Sequence, residues 1–481
     1  MRHRFYLFIS FVLTLVCSAP AQAGLWMPSV FKSGMVLQSG MPAPVWGEAP
    51  AGATVTVEFA GQKKKAVADA GGKWMMHLDS MKISSAPREM KISSSTGNHQ
   101  LSIADVLVGE VWILAGQSNM GWTLANSAGG AEAVQHDYPW LRTFRQWPFQ
   151  GACDEPARDV TGGQWAVCSA KEVGSLSGVG FFFARALHKS LPEGTPVALI
   201  NTQMGGTYIE SWIDRRTLEK TPAAKPYLEK AAAELSKKES AFPGENNFRR
   251  PAALFNGKVA PVQPFAARGV IWYQGEGNSA NWLADGYEET LTALITSWRA
   301  GWNRNDLPFL IVQLPRFTAD QWSRWPEIRA AQAAVAGTLS NVELAVTIDC
   351  GFETEIHPPD KEPVGERLAL LARAKIYGEK IPCSGPVFES AEIAGESIIV
   401  RFKDAGGLYF AGGTAKGFEI CGADGVFIPA QAEIFETDSV RIFSPEILTP
   451  VRVRYGWFNW GEVSLYNKDG LPAAPFSTKE K

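Results

Sequence analysis

What the chain lacks narrows its function first. It has no extended basic block, and its 46 Lys and Arg against 49 Asp and Glu leave a net charge of −3. Nucleic acid and anionic membrane surfaces are held by clustered positive charge, so neither is expected as a partner. Cysteine is scarce, at 6 in 481 residues, with no CxxC pair and no Cys/His cluster of metal-ligand spacing. No metal and no cofactor is therefore expected. Past the N-terminus there is no apolar run of the roughly 18 residues a membrane span needs, so the mature chain should carry no integral membrane segment. Internal repeats, low-complexity tracts and long linkers are also missing, which leaves a multi-domain globular protein.

What is present begins with a leader. Arg2, His3 and Arg4 precede an apolar run at 5–16, and Ala21-Gln22-Ala23 forms a small-x-small cleavage site. Residues 1–23 read as a signal peptide cleaved after Ala23, so the protein should be exported, in a periplasmic setting. Cys17 follows Val16 rather than a small residue, which weighs against a lipoprotein. Five cysteines then remain, an odd number, and Cys153 and Cys168 are the nearest pair in sequence. Tryptophan is abundant at 17. Most should be core, while exposed ones would offer flat platforms to sugar rings.

Residues 24–104 show short alternating strands between Gly and Pro turns, and 385–481 return to that texture. Two β-sandwich regions are expected there. Between them, 105–384 alternates apolar, buried-type strands (111–115, 196–201, 269–273, 309–313, 344–348) with helical patterns (180–191, 287–302, 327–339, 364–377). That pattern calls for an α/β domain with a doubly wound parallel sheet covered on both faces. Residues 126–170 and 217–250 fit it poorly and read as insertions, the first loop-rich.

In such sheets ligands gather at the carboxyl ends of strands. The first strand runs Gly109-Glu110-Val111-Trp112-Ile113-Leu114-Ala115 into Gly116-Gln117-Ser118-Asn119-Met120. It sets Ser118, between Gln117 and Asn119, on a turn where a nucleophile would sit. The second strand leads to Gly205-Gly206-Thr207, where glycine lets a backbone N–H approach a ligand closely. The third leads to Gln274-Gly275-Glu276-Gly277-Asn278, where Gln274 or Asn278 would supply an oxyanion donor and Glu276 would orient a histidine. The fifth leads to Asp349 and then Glu355-Ile356-His357-Pro358. His357 is the one histidine in a loop crowded with carboxylates, the context a general base needs. Glu355, Glu276 and Asp349 all remain open as its acidic partner.

These blocks, with Ile209-Glu210-Ser211-Trp212, Asp360-Lys361 and Gly365-Glu366-Arg367-Leu368, resemble the sialate O-acetylesterases of the SGNH (GDSL-like) hydrolases. Met35-Val36-Leu37-Gln38, Gly72-Lys73-Trp74 and Gly470-Leu471-Pro472 extend the resemblance to nearly the whole mature chain. It implies Ser118 as nucleophile, His357 as base, and Gly206 with a polar residue of the 274–278 turn at the oxyanion. Relatives carry Asp two residues before the histidine, where this chain has Glu355. The expected activity is removal of O-acetyl groups from sugars, sialic acid foremost. Acetylated xylan is the alternative substrate, and a carbohydrate-binding protein without catalysis is the alternative class.

Overall fold

The computed structural model describes residues 24–146, 151–237, 248–318 and 323–478, and the expected leader lies outside them. The central sheet is built from β1 (Gln100–Gly116), β2 (Tyr138–Arg145), β3 (Gln164–Cys168), β4 (Val197–Asn201), β5 (Gly269–Tyr273), β6 (Phe309–Val312) and β7 (Val342–Ala345). Their order across it is β7-β6-β5-β1-β4-β2-β3. All neighbours run parallel except β2 and β3. Residues 106–116 of β1, together with all of β4, β5 and β6, are buried, as unbroken apolar runs require when both faces are covered.

Four helices cover it. They are α1 (Gly178–His188), α2 (Tyr287–Gly301), α3 (Trp325–Thr338) and α4 (Glu362–Leu371). The chain moves from β1 through α1 to β4 in one direction, and from β5 through α2, β6 and α3 to β7 in the other. Right-handed crossovers in opposite directions put α1 and α2 on opposite faces. In keeping with this, α4 packs on α1 and α3 on α2. Strand order therefore reverses at β1, and the carboxyl end of β1 is the switch point where a crevice opens.

Residues 126–170, expected to be loop-rich, instead supply β2 and β3. These strands lie at the sheet edge and are only partly buried. Their mixed composition and Pro139 hide the period that a buried strand shows, and pairing with β4 imposes the extended form. In addition, β1 runs unbroken through the expected boundary at 104/105. At Asp105 it kinks into the left-handed region (φ 54°), and the carboxylate there holds Arg142 at 2.6 Å.

The first half of β1 pairs with Ser84–Ser94, which continues to Thr54–Phe59 and Gln62–Val67. Ala43–Glu48 and Lys73–Leu78 form a separate ribbon. Val36–Gln38 lies parallel to β1. There Glu110 is buried and fully satisfied, by Arg268 at 2.7 and 3.0 Å, Ser39 Oγ at 2.7 Å, Gln38 Nε2 at 3.1 Å and Tyr377 OH at 2.8 Å. The Gly-Glu-Val-Trp block thus holds N-terminal region to sheet. At the other end two four-stranded antiparallel sheets share a core that includes Val400, Ile420, Val440 and Tyr455. Buried Arg329 of α3 ties that region down by donating to the Gly456 carbonyl at 3.0 Å. All five described cysteines are free thiols, Cys153 and Cys168 included.

Candidate active site

The turn that carries Ser118 is forced by Gly116. Its φ is +125°, and a Cβ there would lie 2.1 Å from the Tyr273 carbonyl oxygen. Only glycine allows β1 and β5 to meet so closely at their ends. Gln117 N–H then donates to that same Tyr273 carbonyl at 2.9 Å, and a single helical turn, Ser118–Gly121, follows. Ser118 is half-buried at its start.

His357 reaches it from the loop between β7 and α4. Its Nε2 lies 2.8 Å from Ser118 Oγ, and its Nδ1 lies 3.2 Å from Glu355 Oε1. Glu355 Oε1 also accepts from the His357 backbone N–H at 3.0 Å, which fixes the carboxylate within its own loop. The Trp122 ring stacks on the imidazole, with centroids 5.1 Å apart. Burial lowers the His357 pKa below its ordinary value; the Glu355 charge opposes this and Lys361 adds to it. A neutral imidazole against a serine hydroxyl is the arrangement that abstracts a proton at neutral pH. Of the three candidate carboxylates, Glu355 alone lies within ion-pair distance of His357 among the described residues. Asp349 is taken up by Arg367, at 2.6 and 2.7 Å.

Glu276 has a different place. Its Oε1 accepts from Asn119 Nδ2 at 2.6 Å, and Asn119 Nδ2 also donates to the Ile356 carbonyl at 3.0 Å. Buried Lys361 completes the group by donating to Asn119 Oδ1 at 2.6 Å. Burial raises the Glu276 pKa to about 7 and lowers that of Lys361 to about 8. Asn119 thus spends its whole amide on three structural partners.

Gln274 and Asn278 are likewise committed. Gln274 Nε2 donates to Thr207 O at 3.2 Å and Asn278 Oδ1 at 2.7 Å, while Asn278 Nδ2 donates to the Glu210 carboxylate at 3.0 and 3.3 Å. Both are fully buried and have no donor left for an oxyanion. Their role is to clamp the 274–278 turn to the 207–210 segment. Gln117 Oε1 faces the N–H groups of Gly275 and Gly277 at 3.4 and 3.3 Å, and so braces the same turn. The Gly205-Gly206 turn is exposed, and a Cβ on Gly205 would stand 3.4 Å from Ser118 Cβ. Among the described residues the N–H groups of Ser118, Gly205 and Gly206 meet no acceptor. These, rather than the side-chain amides, are the donors at hand.

The chain is similar to known carbohydrate esterases. The family model described as carbohydrate esterase, sialic acid-specific acetylesterase, matches residues 108–370. The sialate O-acetylesterase of Mus musculus is 31% identical, covering 97% of this chain and 96% of its own. That of Homo sapiens is 30% identical, covering 98% and 96%. The chain belongs to the sialic acid-specific acetylesterase family of carbohydrate esterases. The crystal structure of a carbohydrate acetylesterase from Xanthomonas citri superimposes with a TM-score of 0.84 at 35% identity, over 95% of this chain and 100% of that one.

For this family member, three residues near the site were not singled out from sequence as functional. Trp122 lies four residues after Ser118 and Lys361 four after His357, and that spacing was the available signal. Arg249 gave none, since it lies near the end of the 217–250 insertion. The structure brings it across the Gly205-Gly206 turn, where its Nε donates to the Gly206 carbonyl at 2.9 Å and its guanidinium lies 5.5 Å from the Tyr208 ring.

Proposed function

We propose that the protein removes O-acetyl groups from sugars by acyl transfer through Ser118, and that its substrate is an O-acetylated sialic acid. The carrying observation is the 2.8 Å contact of His357 Nε2 with Ser118 Oγ, backed by Glu355 on Nδ1. His357 takes the hydroxyl proton as Ser118 attacks the acetyl carbonyl. Glu355 stabilises the imidazolium and holds its tautomer. The backbone N–H groups of Ser118 and the Gly205-Gly206 turn receive the oxyanion, where preorganised donors contribute about 3 kcal/mol each. His357 returns its proton to the sugar oxygen, and water activated by the same imidazole releases acetate.

The family model and the curated relatives, all named for sialic acid, favour sialic acid over xylan. The leader at 1–23 supports export to the periplasm, and the two β-rich flanks serve as sandwiches bracing the catalytic sheet.

The test is acetate release by the protein from Gly24 onward, from O-acetylated sialic acid and acetylated xylan in parallel, with Ser118→Ala as the blank. Release from sialic acid that drops by at least about 10³-fold in the variant is expected. Release from xylan alone would move the substrate, and binding without release would favour a lectin-like role. N-terminal sequencing of exported protein should begin at Gly24.

A further inference from the structure

Beside the nucleophile lies a cavity of about 120 Å³, lined by Arg145, Gln146, Ser177, Asn201 and Gln203 among others. It sits over the carboxyl ends of β2 and β4, next to the switch point. Gln203 Cγ lies 3.2 Å from where a Cβ on Gly121 would stand, and Gly121 closes the helical turn that Ser118 opens. The cavity is therefore on one flank of the reacting serine.

Its hydrogen-bonding capacity is one-sided. Gln146, Asn201 and Gln203 are 3%, 8% and 9% exposed, yet Gln146 Oε1, Asn201 Oδ1 and Gln203 Oε1 have no partner among the described residues. Leaving such acceptors empty costs about 1–3 kcal/mol each, so three around one cavity is not what a purely structural corner would retain. Two of the amides are oriented by their donors. Asn201 Nδ2 donates to Thr143 Oγ1 at 2.6 Å and Gln146 Nε2 to the Lys258 carbonyl at 3.2 Å. The remaining polar lining is occupied. Arg145 is bound to the Glu172 carboxylate at 2.6 Å and the Glu172 carbonyl at 2.9 Å. Ser177 Oγ caps α1 through Gly180 N–H at 3.0 Å.

An array of neutral acceptors takes uncharged donors. A carboxylate or phosphate would face three oxygens, and an ammonium group would share the cavity with Arg145. Hydroxyl groups fit, and the volume suits about four waters or a short run of hydroxyl-bearing carbons. We propose that this cavity is a subsite for the vicinal hydroxyls of the sugar that carries the ester, holding them so that the acetyl carbonyl reaches Ser118. The proposal rests on the reading of the chain as a sugar esterase, and it names the part of the substrate that the 145–146 and 201–203 strand ends recognise.

The test replaces Gln203, whose side chain packs on the turn that carries Ser118. Gln203→Leu keeps the volume and removes the oxygen, while Gln203→Glu keeps an acceptor there. The measured quantity is the ratio of kcat/KM on an O-acetylated sugar to kcat/KM on an aryl acetate, which has no hydroxyls to place. The ratio should fall at least 10-fold in Gln203→Leu, mainly through KM, and recover at least in part in Gln203→Glu. An unchanged ratio, whether both substrates suffer alike or neither does, overturns the proposal. Crystals soaked in glycerol and in free N-acetylneuraminic acid give a reading that needs no ester cleavage. Hydroxyls within hydrogen-bond distance of two or more of the three oxygens support the subsite, and water alone there overturns it. A polyol seen in the crystal with an unchanged ratio is binding at crystal concentration only, and also overturns it. Wild-type protein that cleaves aryl acetate but no sugar ester defeats the sugar-esterase reading, and the soak then decides the cavity separately.

Discussion

Asn119 Nδ2 lies 3.0 Å from the carbonyl of Ile356, so the residue after Ser118 is tied to the residue before His357. The separation of Ser118 from His357 is thereby set by a side chain that itself meets no reacting atom. Asn119→Leu should lower kcat about 100-fold with little change in KM, because a misplacement of about 1 Å costs that much in an oriented pair. It also strands Lys361 and Glu276, both buried, and should cost about 2–4 kcal/mol in denaturant unfolding. A loss of stability with kcat intact would show that the tie to Ile356 does not matter.

The acid limb of the pH profile reports His357. Burial holds its pKa below the ordinary 6.5, and the imidazole must be neutral to act, so kcat/KM should fall only as pH drops through a value below 6.5. Glu355 opposes the effect of burial. Glu355→Gln should therefore move the limb to lower pH while reducing the rate about 10- to 100-fold, less than for a buried triad acid because Glu355 is exposed. A limb that moves upward would mean that another group sets it.

Stability should carry the mark of Glu276. Its pKa is raised from 4.5 to about 7 in the folded chain. Between those values the unfolded chain releases the proton and the folded chain keeps it, so stability declines as pH rises through that window. The contribution is on the order of 3 kcal/mol. Glu210 is raised to about 7 in the same way, so Glu276→Gln should roughly halve the decline of Tm from pH 4.5 to 7 rather than abolish it. A parallel, undiminished decline would place the responsible groups elsewhere.

Gly116→Ala should not yield folded protein. The added methyl would press on the Tyr273 carbonyl at the centre of the sheet, between two strands that have no room to part. Soluble, cooperative unfolding at the wild-type midpoint would contradict the geometry. By contrast Trp122→Ala should fold, since Trp122 is only half-buried. Through loss of the stack on His357 it should cost about tenfold in kcat/KM.

Much of this was legible in the chain. Unbroken apolar runs of four or five residues between helical periods marked β4, β5 and β6, since a strand covered on both faces has no polar side to show. Polar residues directly after each run marked the crevice, and the lone histidine among carboxylates is the one that meets Ser118. The edge strands β2 and β3 were not legible, because partly exposed strands carry mixed residues and owe their form to a neighbour distant in sequence.

The roles within each motif were decided by tertiary structure alone. Ser118 and His357 are separated by 239 positions, and their 2.8 Å contact exists only because parallel strands bring all carboxyl ends to one edge. The sequence determined that Gln274, Asn278 and Asn119 would be present there with donors to offer. Folding settled that Thr207, Glu210, Glu276 and Ile356 would take those donors first. It likewise set Glu355 rather than Asp349 against His357, and placed Arg367 against Asp349. A hydrogen-bonding group names its chemistry in the sequence, but its partner is fixed by distances of about 3 Å that only the packed chain defines.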